Sequence, residues 1–167
     1  AQKFVWDDAL LLDDQLSEEE RQIRDSIASF AQAELMPRIL DWNREETFDP
    51  DIMKEFGSLG ILGATIPDYG CAGIGRVAYG LACRELERVD TAFRSAVGVQ
   101  TGLAMSAIYD FGSAEQKDRF LPGMREGSLI GCFGLTEPDH GSDAGALQTR
   151  AKSCDGGYKL NGTKVWI

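Results

Sequence analysis

The sequence predicts a mainly α-helical domain followed by a β domain, over residues 1–127 and 128–167. The helical part is indicated by two capping boxes, at Ser17 and Ser113, each followed by apolar residues at helical spacing. The β part is indicated by two hairpin turn sequences, Asp155-Gly156-Gly157 and Asn161-Gly162, next to short strand-like runs. Helices that precede strands in this way are typical of an α domain followed by a β domain.

The helical elements follow one another between residues 17 and 126. The first carries apolar residues at helical spacing, and Pro37 ends or kinks it before the segment RILDWNREE continues. Asp49 and Pro50 supply a cap and a first-turn proline for the next helix. The glycine-rich connection TIPDYGCAGIG comes next, and long connections of this kind tend to be functional. Further helices are predicted over about residues 75–89, 90–112 and 113–126.

The β part consists of short runs separated by turns. The apolar run LIGCFGLT leads into a polar loop, EPDHGSDAG, and three strand-like runs follow, QTRAKSC, YKL and KVWI. The last residues, TKVWI, are typical of a strand that has just begun rather than of a chain end. About 40 residues are too few to bury a β core independently, so a truncated domain is predicted.

Composition argues against several classes of protein. With 27 acidic and 17 basic residues the net charge is −10, whereas nucleic-acid surfaces concentrate Lys and Arg. No apolar run approaches the roughly 20 residues needed to cross a bilayer. The four cysteines form no CxxC pair and His140 is the only histidine, so no metal site is expected. The cysteines are predicted to be buried, reduced thiols.

The stretch from Phe133 to Asp143 is the most unusual of the sequence. Its glycines allow a ligand to approach the backbone closely, and its Thr and Ser hydroxyls suit a phosphate or the edge of a heterocycle. A plain surface loop explains the same composition and is the alternative. A Ser–His–Asp hydrolase is disfavoured because its members normally come from distant parts of a chain, whereas His140, Ser142 and Asp143 are neighbours.

Arg94 and Glu87 are the charged candidates. If Asp90 caps a helix, Arg94 falls in its first turn, where a cation opposes the helix dipole unless an anion binds there. The alternatives are an ion pair with Asp90 four residues away, or a solvated arginine. Glu87 lies in the run RELERVD, which is typical of a solvated helix face. Trp166, on the last predicted strand, suits the cover of an aromatic cofactor, but packing in a core is the commoner use of such a tryptophan.

The run GCFGLTEPDHGSDAGA resembles the signature of the acyl-CoA dehydrogenase family. The segments VWDDALLLDDQL, LMPRIL, YGCAG, YGLACRELERVD, FRSAV and LNGTKVWI most resemble the glutaryl-CoA dehydrogenases of that family. The resemblance extends over nearly the whole chain. It implies the N-terminal helical-bundle domain of the family fold and the first strands of its middle β-barrel domain, in a homotetramer when the protein has its full length.

The resemblance also implies FAD as the cofactor and an acyl-CoA thioester as the substrate, bound where the domains meet. The residues that would border FAD are Phe133, Gly134, Leu135, Thr136, Glu137, Gly141, Ser142 and Trp166. Ser142 would also contact the CoA portion of the substrate. Arg94 would pair with the distal carboxylate of glutaryl-CoA, with Ser95 beside it and Glu87 in the same polar pocket.

The implied reaction removes an α-proton from glutaryl-CoA with a glutamate and a β-hydride with FAD, and decarboxylation of the oxidised intermediate then gives crotonyl-CoA. Electrons would pass to an electron-transferring flavoprotein, in the bacterial cytoplasm or the mitochondrial matrix. The glutamate belongs to the C-terminal domain of the family, so no catalytic residue is expected within these 167 residues, and the isolated chain is predicted to be inactive.

Three positions depart from the family pattern. Gly98 stands where glutaryl-specific members carry a serine, Phe93 where they carry a tyrosine, and His140 where a small residue or asparagine is common. The first two changes remove hydroxyls near the implied carboxylate site. Another short-chain acyl-CoA dehydrogenase or an oxidase is therefore an alternative, as is a non-catalytic helical interaction module.

Overall fold

The structure, a computed structural model, describes residues 4 and 6–167 of the chain. Two compact units are present, Ala1–Gly131 and Cys132–Ile167. Within the quoted segment VWDDALLLDDQL, Val5 and the side chain of Asp7 lie outside the described residues. The first unit is helical and the second contains two antiparallel strands, which confirms the predicted order of an α domain followed by the beginning of a β domain.

Seven α-helices form the described part of the first unit. Their bounds are α1 Glu18–Phe30, α2 Met36–Glu45, α3 Ile52–Ser58, α4 Arg76–Glu87, α5 Thr91–Gly98, α6 Ser106–Phe111 and α7 Ala114–Arg125. Both predicted capping boxes are confirmed, because Ser17 and Ser113 each accept the N3 backbone N–H at 3.2 Å and receive the reciprocal bond. Asp90 caps α5 by accepting the Ala92 N–H at 2.8 Å.

Two π-helical segments join consecutive helices, Ala31–Leu35 before α2 and Val99–Met105 after α5. The first lies immediately before Pro37, which has no N–H and whose ring would collide with the carbonyl four residues earlier. The wider π register accommodates that proline, so the helical path bends at Pro37 without ending there. The regular helix α3 begins at Ile52, two residues later than predicted, but Asp49 accepts the Asp51 N–H at 3.0 Å in the turn that leads into it.

The core of the first unit is built from the apolar faces of α1, α3, α4 and α5. Phe56, Leu86 and Phe93 are completely buried there, and each such side chain contributes about 1.5–3 kcal/mol through removal of apolar surface from water. Gln100, on the second π-helical segment, is also buried. Its amide donates to the carbonyls of Met124 and Leu129 and accepts from the Gly131 N–H, so it anchors the end of α7.

The second unit contains one hairpin, with β1 at Arg150–Cys154 and β2 at Gly157–Asn161. Its turn is at the predicted Asp155-Gly156 position, with Gly156 at φ +76°. The predicted strand over KVWI is wrong for the described chain, since residues 162–167 have no ladder partner. Asn161-Gly162 therefore does not form a hairpin turn, and Trp166 adopts φ +59°.

The cysteines and charged groups show where burial differs from expectation. All four cysteines are free; Cys71 and Cys83 are half-buried, but Cys132 and Cys154 are exposed, contrary to the prediction of buried thiols. In the part of the chain that the structure describes, none of the helices combines the length and apolar character that a membrane crossing requires. Among residues 4 and 6–167, no group of His, Cys, Asp or Glu side chains is arranged to hold a metal ion.

Candidate functional site

The first candidate site lies where α4 ends and α5 begins. Asp90 starts α5 only three residues after Glu87, and this turn brings the guanidinium of Arg94 back to the Glu87 carboxylate. Arg94 Nε donates to Glu87 Oε2 at 2.7 Å, and Nη2 lies 3.4 Å from Thr91 Oγ1. The bond from Arg94 lowers the pKa of Glu87, and the same bond raises the pKa of Arg94. The two alternatives considered from the sequence were an ion pair between Arg94 and Asp90 and a solvated arginine. Neither of them describes this geometry.

Two α4 residues that the sequence did not single out lie beside this ion pair. Tyr79 and Cys83 precede Glu87 by eight and four residues, so all three side chains share one face of α4. The Tyr79 hydroxyl is buried beside the Cys83 and Thr101 side chains, but it forms no hydrogen bond of good geometry with the described residues. Burial raises the pKa of Tyr79 and also that of Cys83. The four-residue spacing of Tyr79, Cys83 and Glu87 was the signal available in the sequence.

The other residues predicted near Arg94 occupy different environments. Ser95 is half-buried, next to Arg94 on α5. Gly98 lies one turn after Arg94, and a Cβ added there would meet no atom within 4 Å. Phe93, expected near the polar pocket, is instead fully buried in the core, with its ring 6.0 Å from that of Trp42. A glycine at 98 therefore leaves open space, whereas position 93 belongs to the core.

Burial also corrects the interpretation of the run RELERVD as a solvated face. Glu85 is buried, and its carboxylate pairs with Arg84 at 2.9 Å and Arg88 at 3.0 Å. Both arginines remain exposed, so they pair with the buried carboxylate from its solvent side. Glu87, by contrast, is exposed and available at the surface next to Arg94.

The second candidate site is the loop of the second unit that begins at Phe133. Phe133, Gly134 and Leu135 are exposed, and Thr136 is half-buried. In the described part of the chain, neither the Leu135 nor the Thr136 backbone N–H has a hydrogen-bond partner. Exposed apolar side chains next to free amide donors suit a flat heterocycle with an acceptor at its edge.

Glu137, predicted at the cofactor, is buried and already fully bonded within the protein. Its carboxylate accepts the Gln148 and Thr149 N–H groups at 2.7 and 2.9 Å, and Lys164 Nζ at 3.0 Å. The neighbouring Thr149 side chain, together with these donors, lowers the pKa of Glu137 to about 2. Lys164 was not singled out from the sequence, and its position two residues before Trp166 was the only signal.

The remaining loop residues predicted at the cofactor lie at the surface. Gly141 and Ser142 are exposed. His140 closes a turn, because its backbone exchanges hydrogen bonds with that of Glu137 at 3.1 and 3.2 Å. The indole of Trp166 is 93% exposed, so it does not serve the core-packing role that is commoner for tryptophan in strands.

Family comparisons agree with both the fold and the sequence motif. The chain belongs to the acyl-CoA dehydrogenase family: residues 17–128 match the family's N-terminal domain and residues 132–167 match its middle domain. The short-chain specific mitochondrial acyl-CoA dehydrogenase of Mus musculus is 36% identical over 154 residues, which are 92% of this chain and 37% of that protein.

Two crystal structures of glutaryl-CoA dehydrogenase from Mycobacterium smegmatis resemble this chain. One, in complex with FADH2, has a TM-score of 0.88 at 47% identity and covers 92% of this chain and 40% of its own. The other has a TM-score of 0.89 at 50% identity and covers 95% and 42%. The chain thus spans between 37% and 42% of the length of these relatives.

Proposed function

We propose that the protein containing this chain is an FAD-dependent acyl-CoA dehydrogenase that converts glutaryl-CoA to crotonyl-CoA and CO2. The observation that most directly supports this proposal is the Arg94 guanidinium, which is half-exposed in the first turn of α5. Only Nε and Nη2 of Arg94 have partners among the described residues. Nη1 is therefore available to a carboxylate, to which guanidinium binds with planar, directional hydrogen bonds.

The loop of the second unit fits FAD. The free Leu135 and Thr136 amides and the Thr136 hydroxyl would donate to the acceptor edge of the flavin. The exposed Phe133 and Trp166 rings would supply apolar contact area. Bound FAD supplies the acceptor for the hydride that leaves the substrate β-carbon. Ser142 and Gly141, both exposed, would remain accessible to the cofactor and to the CoA portion of the substrate.

The Arg94–Glu87 pair would determine which acyl chain is accepted. A distal carboxylate entering this site must share Arg94 with Glu87, whose pKa is lowered and which stays ionised near neutral pH. Ser95 would contribute a hydrogen bond to the bound carboxylate. The glutamate base, the electron-transferring flavoprotein and a homotetrameric assembly complete the proposal, since this chain covers only part of its relatives' length.

A short-chain acyl-CoA without a distal carboxylate is the second candidate substrate. In this structure Arg94 is already neutralised by Glu87, and Gly98 offers no hydroxyl beside it. If the Arg94–Glu87 ion pair stays intact during turnover, an uncharged acyl chain would bind without the free-energy cost of separating the two side chains. The 36% identity to a short-chain specific enzyme is compatible with this alternative.

Kinetics of the Arg94→Ala variant of the full-length protein separate the two candidates. For a glutaryl-CoA enzyme, kcat/KM for glutaryl-CoA should fall about 100-fold, because the charge-assisted hydrogen bond from Arg94 to the distal carboxylate is lost. Turnover of butyryl-CoA should stay nearly constant. Arg44→Ala, on an arginine whose side chain is 75% exposed, is the matched control and should change neither substrate. An equal loss on both substrates would reject the carboxylate role of Arg94.

A further inference from the structure

A buried ion pair in the second unit connects three separate segments of the chain. Glu137 Oε1 accepts Lys164 Nζ at 3.0 Å and the Thr149 N–H at 2.9 Å, while Oε2 accepts the Gln148 N–H at 2.7 Å. The side chain of Glu137 is only 4% exposed, and that of Lys164 is 27% exposed. A carboxylate buried to this extent is tolerated only when it is paired and hydrogen-bonded, and these three donors meet that requirement.

Lys164 extends this ion pair to the exposed loop. Its Nζ also donates to the Leu135 carbonyl at 2.8 Å, and the next residue, Val165, donates its N–H to the Thr136 carbonyl at 2.9 Å. Residues 164 and 165 therefore bond to two consecutive carbonyls of the loop. Because a trans peptide is planar, a carbonyl turned toward Lys164 directs the following N–H, that of Thr136, the opposite way.

We infer that the Glu137–Lys164 ion pair is a positioning element that holds the Leu135–Thr136 peptide so that the Thr136 N–H faces the flavin. The inference rests on the proposed function. Glu137 and Lys164 act through the backbone and do not need to touch the cofactor. Glu137, implied by the family resemblance to border FAD, thereby receives a specific role behind the loop.

The same contact fixes the position of Trp166. The tryptophan follows Val165, whose N–H is bonded to Thr136, and its backbone adopts φ +59° while its ring projects into solvent. Left-handed backbone is rare for a bulky residue and persists only where neighbouring contacts enforce it. The ion pair therefore holds the Thr136 N–H and the exposed Trp166 indole in fixed positions relative to each other.

Titration of the full-length apoprotein with FAD tests this role. Lys164→Met removes both charge-assisted bonds, and it should weaken FAD binding about tenfold or more, as does loss of supporting groups behind metal ligands. Lys164→Arg retains the charge and both donors and should restore most of the affinity. Lys159→Met, on an exposed β2 lysine, is the matched control and should leave the FAD dissociation constant unchanged.

Two further readouts separate positioning from simple stabilisation. In Lys164→Met, the visible absorption spectrum and the reduction potential of the bound flavin should both shift, because a donor at the flavin edge has moved. If that variant does not fold, Glu137→Gln, which keeps shape but removes charge, should show the same changes to a smaller extent. Unchanged affinity, spectrum and potential in a folded variant would overturn the inference. If the unsubstituted protein binds no FAD, the proposed function itself is wrong and the inference is rejected with it.

Discussion

Replacement of Tyr79 by phenylalanine should make the protein more stable. The Tyr79 hydroxyl is buried on α4 beside the Cys83 and Thr101 side chains, without a hydrogen bond of good geometry among the described residues. A buried hydroxyl that loses its hydrogen bonds to water on folding and gains no partner in the protein lowers the free energy of unfolding. Mutational measurements put this cost at about 1–3 kcal/mol. Because the Tyr79 side chain is only partly buried, we expect the lower end, a gain of about 1 kcal/mol in the free energy of unfolding for Tyr79→Phe.

Urea unfolding of the 167-residue chain, followed by far-ultraviolet circular dichroism, measures this gain, since all described α-helices lie in the first unit. Tyr109→Phe is the matched control with the opposite sign, because the Tyr109 hydroxyl donates to Asp68 at 2.7 Å and that bond would be lost. A loss of stability in Tyr79→Phe would contradict this prediction, because it would show that the hydroxyl is hydrogen-bonded to Cys83 or Thr101.

Two further predictions concern buried polar groups. Gln100→Ala removes three hydrogen bonds, those that Gln100 makes with the Met124 and Leu129 carbonyls and with the Gly131 N–H, so urea unfolding should show a loss of about 3 kcal/mol. Gln22→Ala, at an exposed α1 position, should change stability by less than about 0.5 kcal/mol, and a Gln100 effect equally small would contradict the prediction. Glu137 has a pKa of about 2 against an ordinary 4.5, so its stabilisation should be complete above about pH 4.5 and disappear as the pH falls toward 2. Carboxyl NMR shifts should give a midpoint near 2 for Glu137, whereas a midpoint near 4.5 would show that its bonds do not form in solution.

Helix starts were predictable because their signals are local. Ser17 and Ser113 each satisfy N-terminal N–H groups within three residues, so no distant part of the chain affects them. The π-helical segments were not predictable, since a change of hydrogen-bond register depends on Pro37 and on the packing of neighbouring helices. The strand predicted at KVWI failed because β-branched residues favour a strand only when another strand pairs with them.

The candidate site was predictable in residue type but not in geometry. Arg94 and Glu87 are seven residues apart across a helix break, so their contact depends on the turn at Asp90, which spacing alone does not define. Lys164 reaches Glu137 across 27 residues, a separation that no local pattern indicates. Motifs indicated the candidate ligand-contact residues, whereas the contacts that support them became visible only in the folded chain.

Anaerobic mixing of the purified full-length protein with glutaryl-CoA tests the central proposal most directly. We expect bound FAD to lose its oxidised absorption and one equivalent of CO2 to be released for each flavin reduced. Reduction by butyryl-CoA together with no reaction of glutaryl-CoA would contradict the proposed substrate, and a purified protein without bound flavin would contradict the proposed enzyme.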